Sequence, residues 1–115
     1  MKLSTIAETN QLTLRNDHER FHHDPDVCGL MVTDLMSHAM ANGGIGMAFV
    51  TIQAHRNVLA VALLKEFSAI IIPYDIEIPE NLLKEANIQE MPIYSTPKST
   101  YELVGNIYQQ LSSSS

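Results

Sequence analysis

The sequence is poor in the residues that build several common kinds of site. It has one cysteine, Cys28, so neither an intrachain disulfide nor a cysteine-based zinc cluster is expected. Lysine and arginine number 7 against 13 aspartates and glutamates, and the net charge of −6 disfavours nucleic acid and anionic membrane as partners. No apolar run approaches the roughly 20 residues of a transmembrane helix, and the first residues lack the apolar stretch of a signal peptide. We therefore expect a cytoplasmic protein.

Motifs of common nucleotide and hydrolase chemistry are also missing. The chain contains no G-x-x-x-x-G-K-[ST] and no G-x-S-x-G, which removes support for nucleotide hydrolysis and for a serine hydrolase. The glycine-rich segment 43–46 follows a predicted helix and precedes a predicted strand, the reverse of the order in phosphate-binding loops. We interpret it as a turn in which Gly43 and Gly44 supply the positive φ that ends the helix. No cofactor is expected.

The chain does contain a regular alternation of short strands and helices. Its 115 residues, 45% of them hydrophobic, suffice for one core. After a short helix near Ser4 and a half-buried strand at 11–15, we predict four strands, at 27–32, 47–51, 69–72 and 91–95. Helices follow them at 35–40, 56–67, 79–86 and 96–111. This order predicts an α/β fold, a single compact domain over 1–111 with a mostly parallel central sheet and helices on its faces. The final serines, 112–115, are predicted to be a disordered tail.

The most polar stretch of the chain, residues 16–26, is rich in histidine. His18 and His22 lie four residues apart and His23 adjoins them, so on a helix the first two would share a face and could hold zinc or nickel. The stretch has no periodicity and contains Pro25, which favours a loop. We therefore expect no metal site there.

Two apolar features bear on burial. Cys28 lies inside an apolar run and is predicted to be a buried thiol, not a nucleophile. The predicted helix 56–67 contains seven consecutive apolar residues, from Val58 to Leu64, so it must be covered on more than one side. In so small a domain the simplest second cover is another subunit, and we predict a homodimer.

Polar side chains collect at the predicted carboxyl ends of the strands, where parallel α/β sheets bind ligands. Two loops there place hydroxyl or amide groups and one cation at a helix N-terminus, whose free N–H groups and dipole favour an anion. The cations are Arg56 and Lys98. We predict a phosphate or carboxylate site formed by Thr51, Gln53, His55, Arg56, Asn57, Thr96, Lys98 and Ser99. The alternative is that Asn57 and Thr96 only cap helices and that both cations are solvated.

Three segments resemble the DRTGG domain, which is similar to the N-terminal domain of HPr kinase/phosphorylase. They are Leu30-Met31-Val32-Thr33-Asp34-Leu35-Met36, Ala48-Phe49-Val50-Thr51-Ile52-Gln53-Ala54-His55-Arg56-Asn57 and Pro92-Ile93-Tyr94-Ser95-Thr96-Pro97-Lys98-Ser99-Thr100-Tyr101-Glu102. The most specific parts are Thr-Ile-Gln-x-His and Ile-x-x-Thr-Pro, and the resemblance covers 3–111. It implies a compact, often dimeric α/β domain that accompanies CBS domains in inorganic pyrophosphatases or lies beside acyltransferase domains, with a regulatory role.

The sequence departs from the residues that give this family its name. The Asp-Arg pair is replaced by His55-Arg56, and the Thr-Gly-Gly by Pro73-Tyr74-Asp75, with neither glycine kept. Because residues other than glycine resist positive φ, we expect no backbone anion-binding nest at that turn. The P-loop half of the kinase is absent from this sequence, so we expect no kinase activity by that mechanism.

Three functions therefore remain open. The first is a non-catalytic regulatory domain that binds a small anionic metabolite or nucleotide at the carboxyl edge of the sheet, with Arg56 and Lys98 as contacts. The second is a dimeric protein-interaction or scaffolding module that acts on a separately encoded enzyme. The third is an enzyme with His55 as general base. It has least support, since a base needs an orienting partner and a substrate within reach.

Overall fold

The computed structural model describes residues 1–17 and 24–113. The elements in these ranges are α1 (Leu3–Thr9), β1 (Thr13–Leu14), β2 (Gly29–Val32), α2 (Met36–Asn42), β3 (Met47–Val50), α3 (Arg56–Leu64), β4 (Ala69–Ile72), α4 (Glu80–Ile88), β5 (Ile93–Ser95) and α5 (Thr100–Ser113). The predicted histidine loop, with His18, His22 and His23, lies outside the described residues.

The strands form one five-stranded sheet in the order β1-β5-β4-β3-β2. Strands β2 to β5 run parallel, and β1 runs antiparallel along β5. Phe49 of β3 lies opposite Ile70 of β4, which lies opposite Ile93 of β5. The predicted α/β fold with a mostly parallel sheet is confirmed.

Helices cover both faces of this sheet. Helices α2, α3 and α4 pack on one face, where Phe49, Ile70 and Ile72 contribute to the larger hydrophobic cluster. Helices α1 and α5 pack on the other face, against Val50 and Ile71. Every residue of β4 is buried, as its uninterrupted apolar sequence predicts for a strand that is covered on both sides. The carboxyl ends of four parallel strands thus reach the same edge of a three-layer domain.

Three helices end in the same way without a glycine. The residues that follow their C-caps have φ between 55° and 57°: Gln11, Glu66 and Glu90. The N–H of the next residue then donates to a carbonyl five residues back, as Phe67 does to Ala62 at 2.9 Å. This is the Schellman arrangement, which also buries an apolar residue just beyond the helix. Helix α3 therefore ends at Leu64, three residues before its predicted end.

Glycine has a different role after α2 from the one predicted. The φ of Gly43 is −71°, so Gly43 does not end the helix by a left-handed conformation. A Cβ at Gly43 would lie 2.5 Å from Cζ of Phe67 and 2.7 Å from the carbonyl oxygen of Ala39, so close packing is what demands glycine there. The positive φ, 83°, falls on Gly46, within the predicted turn. Gly44 does not have a positive φ.

The prediction of a buried thiol is wrong, because Cys28 is exposed. The apolar run that contains it forms β2, which is an edge strand of the sheet. Burial along the run is uneven: Val27 and Met31 are buried, Gly29 and Leu30 are half-buried, and Cys28 and Val32 are exposed. The thiol of Cys28 donates to the carbonyl of Ile45 at 3.3 Å.

The buried side chains of helix α3 pack against other elements of the same chain. Its buried residues are Val58, Leu59, Val61 and Ala62, and it packs against α2, α4 and β4. A central helix flanked by two others meets apolar neighbours on three sides, so its apolar run does not require a second subunit. Leu64, at the end of the helix, is 71% exposed.

The last helix begins and ends later in the sequence than predicted. Helix α5 continues to Ser113 and so includes the first two serines of the predicted disordered tail. Among the described residues, no helix combines the length and the apolar character that crossing a membrane would demand.

Candidate functional site

The loop that joins β3 to α3, residues 51–55, is tied to the end of β2 by hydrogen bonds. The carboxylate of Asp34 accepts from the hydroxyl of Thr51 at 3.1 Å and from the N–H of Ile52 at 3.0 Å, both at Oδ1. The Thr51 side chain is buried, and its Oγ1 also accepts from the N–H of Gln53 at 3.2 Å. The loop therefore has a defined conformation where it enters α3.

The ring of His55 is held by a neighbour on the same loop. Its Nε2 lies 3.0 Å from Oε1 of Gln53. Because an amide oxygen only accepts hydrogen bonds, this contact requires the ring proton on Nε2. The proton-acceptor atom of the neutral ring is then Nδ1. Among the described contacts of His55 there is no carboxylate of the kind that orients a general base.

The first turn of α3 has no side-chain cap. Its N-cap residue is His55, which makes no capping hydrogen bond, and Asn57 does not serve as the cap that the alternative interpretation suggested. The N–H of Val58 donates to the carbonyl of His55 at 3.1 Å. The side chains of Arg56 and Asn57 are exposed at this terminus. Uncapped N–H groups and the helix dipole give it a partial positive charge.

A cleft of about 520 Å³ lies at this terminus. It is lined by His55, Arg56 and Asn57 from α3 and by Pro79 and Asn81 from the start of α4. The N-cap of α4, Pro79, also makes no side-chain capping bond. Residues at the starts of two uncapped helices thus line one cleft that includes Arg56, and Glu80 lies in the first turn of α4 between two of the lining residues.

The other three predicted site residues lie in the loop between β5 and α5 and have partners of their own. Ser99 caps α5, since its Oγ accepts from the N–H of Glu102 at 3.1 Å. Thr96 is buried, and its Oγ1 accepts from the N–H of Lys98 at 3.2 Å. The ammonium of Lys98 donates to the carbonyl of Asn10 at 3.3 Å, at the C-terminal end of α1, where the dipole favours a cation.

The structure therefore divides the predicted set in two. It brings together Thr51, Gln53, His55, Arg56 and Asn57, and it places Thr96, Lys98 and Ser99 around the start of α5. The alternative interpretation assigned capping to Asn57 and Thr96, whereas the residue that caps α5 is Ser99. The spacing Ser-x-x-Glu from Ser99 to Glu102 is the sequence signal of such a cap.

The turn after β4 adopts the backbone conformation that its sequence argues against. Tyr74 and Asp75 have φ of 61° and 56°, so the expectation that residues other than glycine would avoid this region is wrong. Their N–H groups donate to the carbonyls of Lys98 and Thr96, each at 2.9 Å. The turn thus fastens the end of β4 to the loop after β5, and these two N–H groups already have acceptors in the protein.

No family model matches the chain, and no curated protein matches it. The structure is similar to the CBS and DRTGG domains of the regulatory region of Clostridium perfringens pyrophosphatase, solved in complex with the activator diadenosine tetraphosphate. The TM-score is 0.65 at 14% identity, over 88% of this chain and 43% of the other, so the chain spans less than half of that structure. The similarity shows the fold and supports the DRTGG-like domain that the sequence motifs predicted.

Proposed function

We propose that this chain is a non-catalytic regulatory domain that senses a small anionic metabolite or nucleotide. The observation that carries the proposal is the cleft where the N-termini of α3 and α4 meet, with Arg56 on its wall. Its volume of about 520 Å³ lies within the range of small-molecule sites. The structure with the same fold is a regulatory region in complex with a nucleotide activator, which supports a nucleotide as the class of ligand.

In this proposal the anion takes its hydrogen bonds from α3. The guanidinium of Arg56 is suited to bidentate contact with a phosphate or carboxylate, and the N–H groups of the first turn point toward the same anion. His55 and Asn57 line the cleft and add donors, while Gln53 holds the His55 ring. A charge-assisted hydrogen bond contributes roughly 1.5–3 kcal/mol, or about 10- to 150-fold in affinity.

A panel of ligands tests the proposal. Thermal unfolding is measured with ATP, diadenosine tetraphosphate, inorganic phosphate and small carboxylates. A ligand at about a hundred times its dissociation constant adds roughly 2.7 kcal/mol, a rise in the unfolding midpoint on the order of 10 °C for a chain of this length. Selective stabilisation by one or more of these anions supports the proposal, and a uniform lack of response contradicts it for these classes.

A variant of Lys98, the second predicted cation, makes that test more specific. The sequence predicts that Lys98 shares the anion with Arg56, whereas the Lys98 ammonium bonds the carbonyl of Asn10. Lys98→Ala should therefore lower the midpoint of the free protein and leave the increment caused by the ligand nearly unchanged. If the increment vanishes in Lys98→Ala, the anion is shared between the two loops.

A separate observation favours an interaction function. A groove of about 380 Å³ runs between β2 and α5, and the residues that line it carry no charged side chain: Cys28, Gly29, Leu30, Val32, Val104, Tyr108, Leu111 and Ser112. Tyr108 is 70% exposed and Val32 is 40% exposed. Within the described sheet β2 is an edge strand, whose outer N–H and C=O groups can pair with another strand.

We propose a second copy of this chain as the partner at that groove. Antiparallel pairing of β2 with itself satisfies two-fold symmetry, and an uncharged face lets two chains of net charge −6 approach. Sedimentation should show a dimer at micromolar concentration that Val32→Lys dissociates. Leu64→Lys, at an exposed position of α3, is the matched control and should remain dimeric. A monomeric wild-type protein, or dissociation by the α3 variant alone, would refute this interface.

We also propose the cytoplasm as the location and residues 1–111 as a self-sufficient domain. The acidic composition and the single cysteine agree with a reducing compartment such as the cytoplasm.

The proposed extent of the domain can be tested by truncation. A chain truncated after Leu111 should unfold as cooperatively as the whole chain. Loss of the transition would show that the end of α5 belongs to the domain.

A further inference from the structure

We infer that Asp34 is a positioning residue that holds the β3–α3 loop in the conformation that presents Arg56 to the cleft. This inference rests on the proposed function. Asp34 follows β2 and is outside the set of site residues that the sequence predicts. Its Oδ1 accepts two hydrogen bonds from the neighbouring loop, from the Thr51 hydroxyl and from the Ile52 N–H.

These bonds begin a continuous chain of contacts that leads to α3. From Thr51 it continues to the N–H of Gln53, at 3.2 Å, and from the Gln53 side chain to the ring of His55, at 3.0 Å. His55 is the N-cap of α3 and directly precedes Arg56. Because Thr51 is 2% exposed, water cannot readily replace the carboxylate as the partner of its hydroxyl.

The carboxylate is not needed for the helix that follows it. The N-cap of α2 is Leu35, without a side-chain capping bond, and the N–H of Leu35 donates to Oγ1 of Thr33 at 3.1 Å. The side chain of Asp34 is therefore used across strands, from the end of β2 to the loop after β3. Its removal takes no capping bond from α2 and deprives the Thr51 hydroxyl and the Ile52 N–H of their acceptor.

The charge and the hydrogen-bonding role of Asp34 can be separated. Asn keeps an acceptor oxygen at Oδ1 and loses the charge, whereas Ala loses both. If position and not charge is what matters, Asp34→Asn should bind an anion as wild type does and Asp34→Ala should not. Asp75→Asn removes an exposed carboxylate at the same edge of the sheet and controls for charge alone.

Calorimetric titration with diadenosine tetraphosphate is the first arm of the test. We expect Asp34→Ala to weaken binding at least tenfold, and Asp34→Asn and Asp75→Asn to stay within threefold of wild type. Thermal unfolding of each free variant shows that it is folded. Wild-type affinity in Asp34→Ala overturns the inference, and so does an Asp34→Asn variant as weak as Asp34→Ala.

The second arm needs no ligand and so separates the two claims. Nitrogen NMR of the His55 ring should show the proton on Nε2 in the wild type and in Asp34→Asn, because Gln53 accepts from it. In Asp34→Ala the signals should move toward those of a free imidazole with mixed tautomers. If the wild type binds no anion, the proposed function fails and this spectrum still tests Asp34. Unchanged His55 signals in Asp34→Ala overturn the role of Asp34.

Discussion

One added methyl group at Gly43 tests how tightly the end of α2 packs against the segment after α3. A Cβ there would lie 2.5 Å and 2.8 Å from two carbon atoms of the Phe67 ring and 2.7 Å from the carbonyl oxygen of Ala39. Phe67 is 4% exposed, and its ring meets that of Phe49 edge-on with centroids 5.3 Å apart. The ring has little room to withdraw, so the backbone of α2 must move.

The size of the effect follows from two opposing contributions. Overpacking of a dense core costs typically ~1–3 kcal/mol. Because the φ of −71° suits alanine, the lower entropy of the unfolded chain returns ~0.4–1 kcal/mol. We expect Gly43→Ala to lower the free energy of unfolding by about 1–2 kcal/mol and the midpoint by roughly 4–10 °C.

Gly105 provides the matched control, since it lies on the exposed face of α5, where an added Cβ would meet nothing within 4 Å apart from its chain neighbours and the backbone of its own helix. Gly105→Ala should stabilise the protein by about 0.5–1 kcal/mol through helix propensity. Urea denaturation of both variants with a common slope gives the two values. A Gly43→Ala variant as stable as wild type would refute the packing argument, whereas two variants of opposite sign support it.

Three further predictions concern backbone strain, capping and pH. Tyr74→Gly should raise the free energy of unfolding by up to about 1 kcal/mol in urea denaturation, because glycine adopts the left-handed conformation without strain and the tyrosine side chain is 53% exposed. A lower free energy of unfolding would show that the contacts of the tyrosine side chain outweigh the strain of its backbone. Ser99→Ala should lower the free energy of unfolding by ~1 kcal/mol, because it removes the acceptor of the Glu102 N–H. Ser99→Asp supplies an acceptor again and should restore the wild-type stability. Burial, and then the Asp24 carboxylate, raise the pKa of the Tyr94 phenol above its ordinary value of 10.0. The folded state therefore holds this proton more tightly, so stability should be full below pH ~10 and fall as pH rises through the folded pKa. A Tyr94→Phe variant with the same alkaline loss would contradict that cause.

The alternation of apolar runs and helical segments was sufficient to predict the architecture. A short apolar run such as Ala69–Ile72, with a helical segment on each side, is typical of a strand that is covered on both faces. The run at β2 shows the limit of this reasoning. An edge strand and a central strand can have similar composition, so sequence could not show that Cys28 faces outward.

The ends of the helices, and the separation of the predicted site residues into two groups, depend on contacts between distant parts of the chain and were harder to predict from the sequence. The left-handed residue after α3 is Glu66, which packing of Phe67 beyond it stabilises in place of the usual glycine. The placement of Lys98 depends on α1, which is distant in sequence and close in space. Asp34 likewise acts on a loop 17 residues further along the chain, through the pairing of β2 with β3.

Calorimetric titration of diadenosine tetraphosphate into the wild type and Arg56→Ala tests the central claim most directly. Lys84→Ala removes one exposed positive charge from α4, away from the cleft lining, and is the matched control. We predict measurable binding by the wild type and by Lys84→Ala, and affinity lower by at least tenfold in Arg56→Ala. Equal affinities in all three proteins, or no binding by the wild type, would contradict a nucleotide site at the N-terminus of α3.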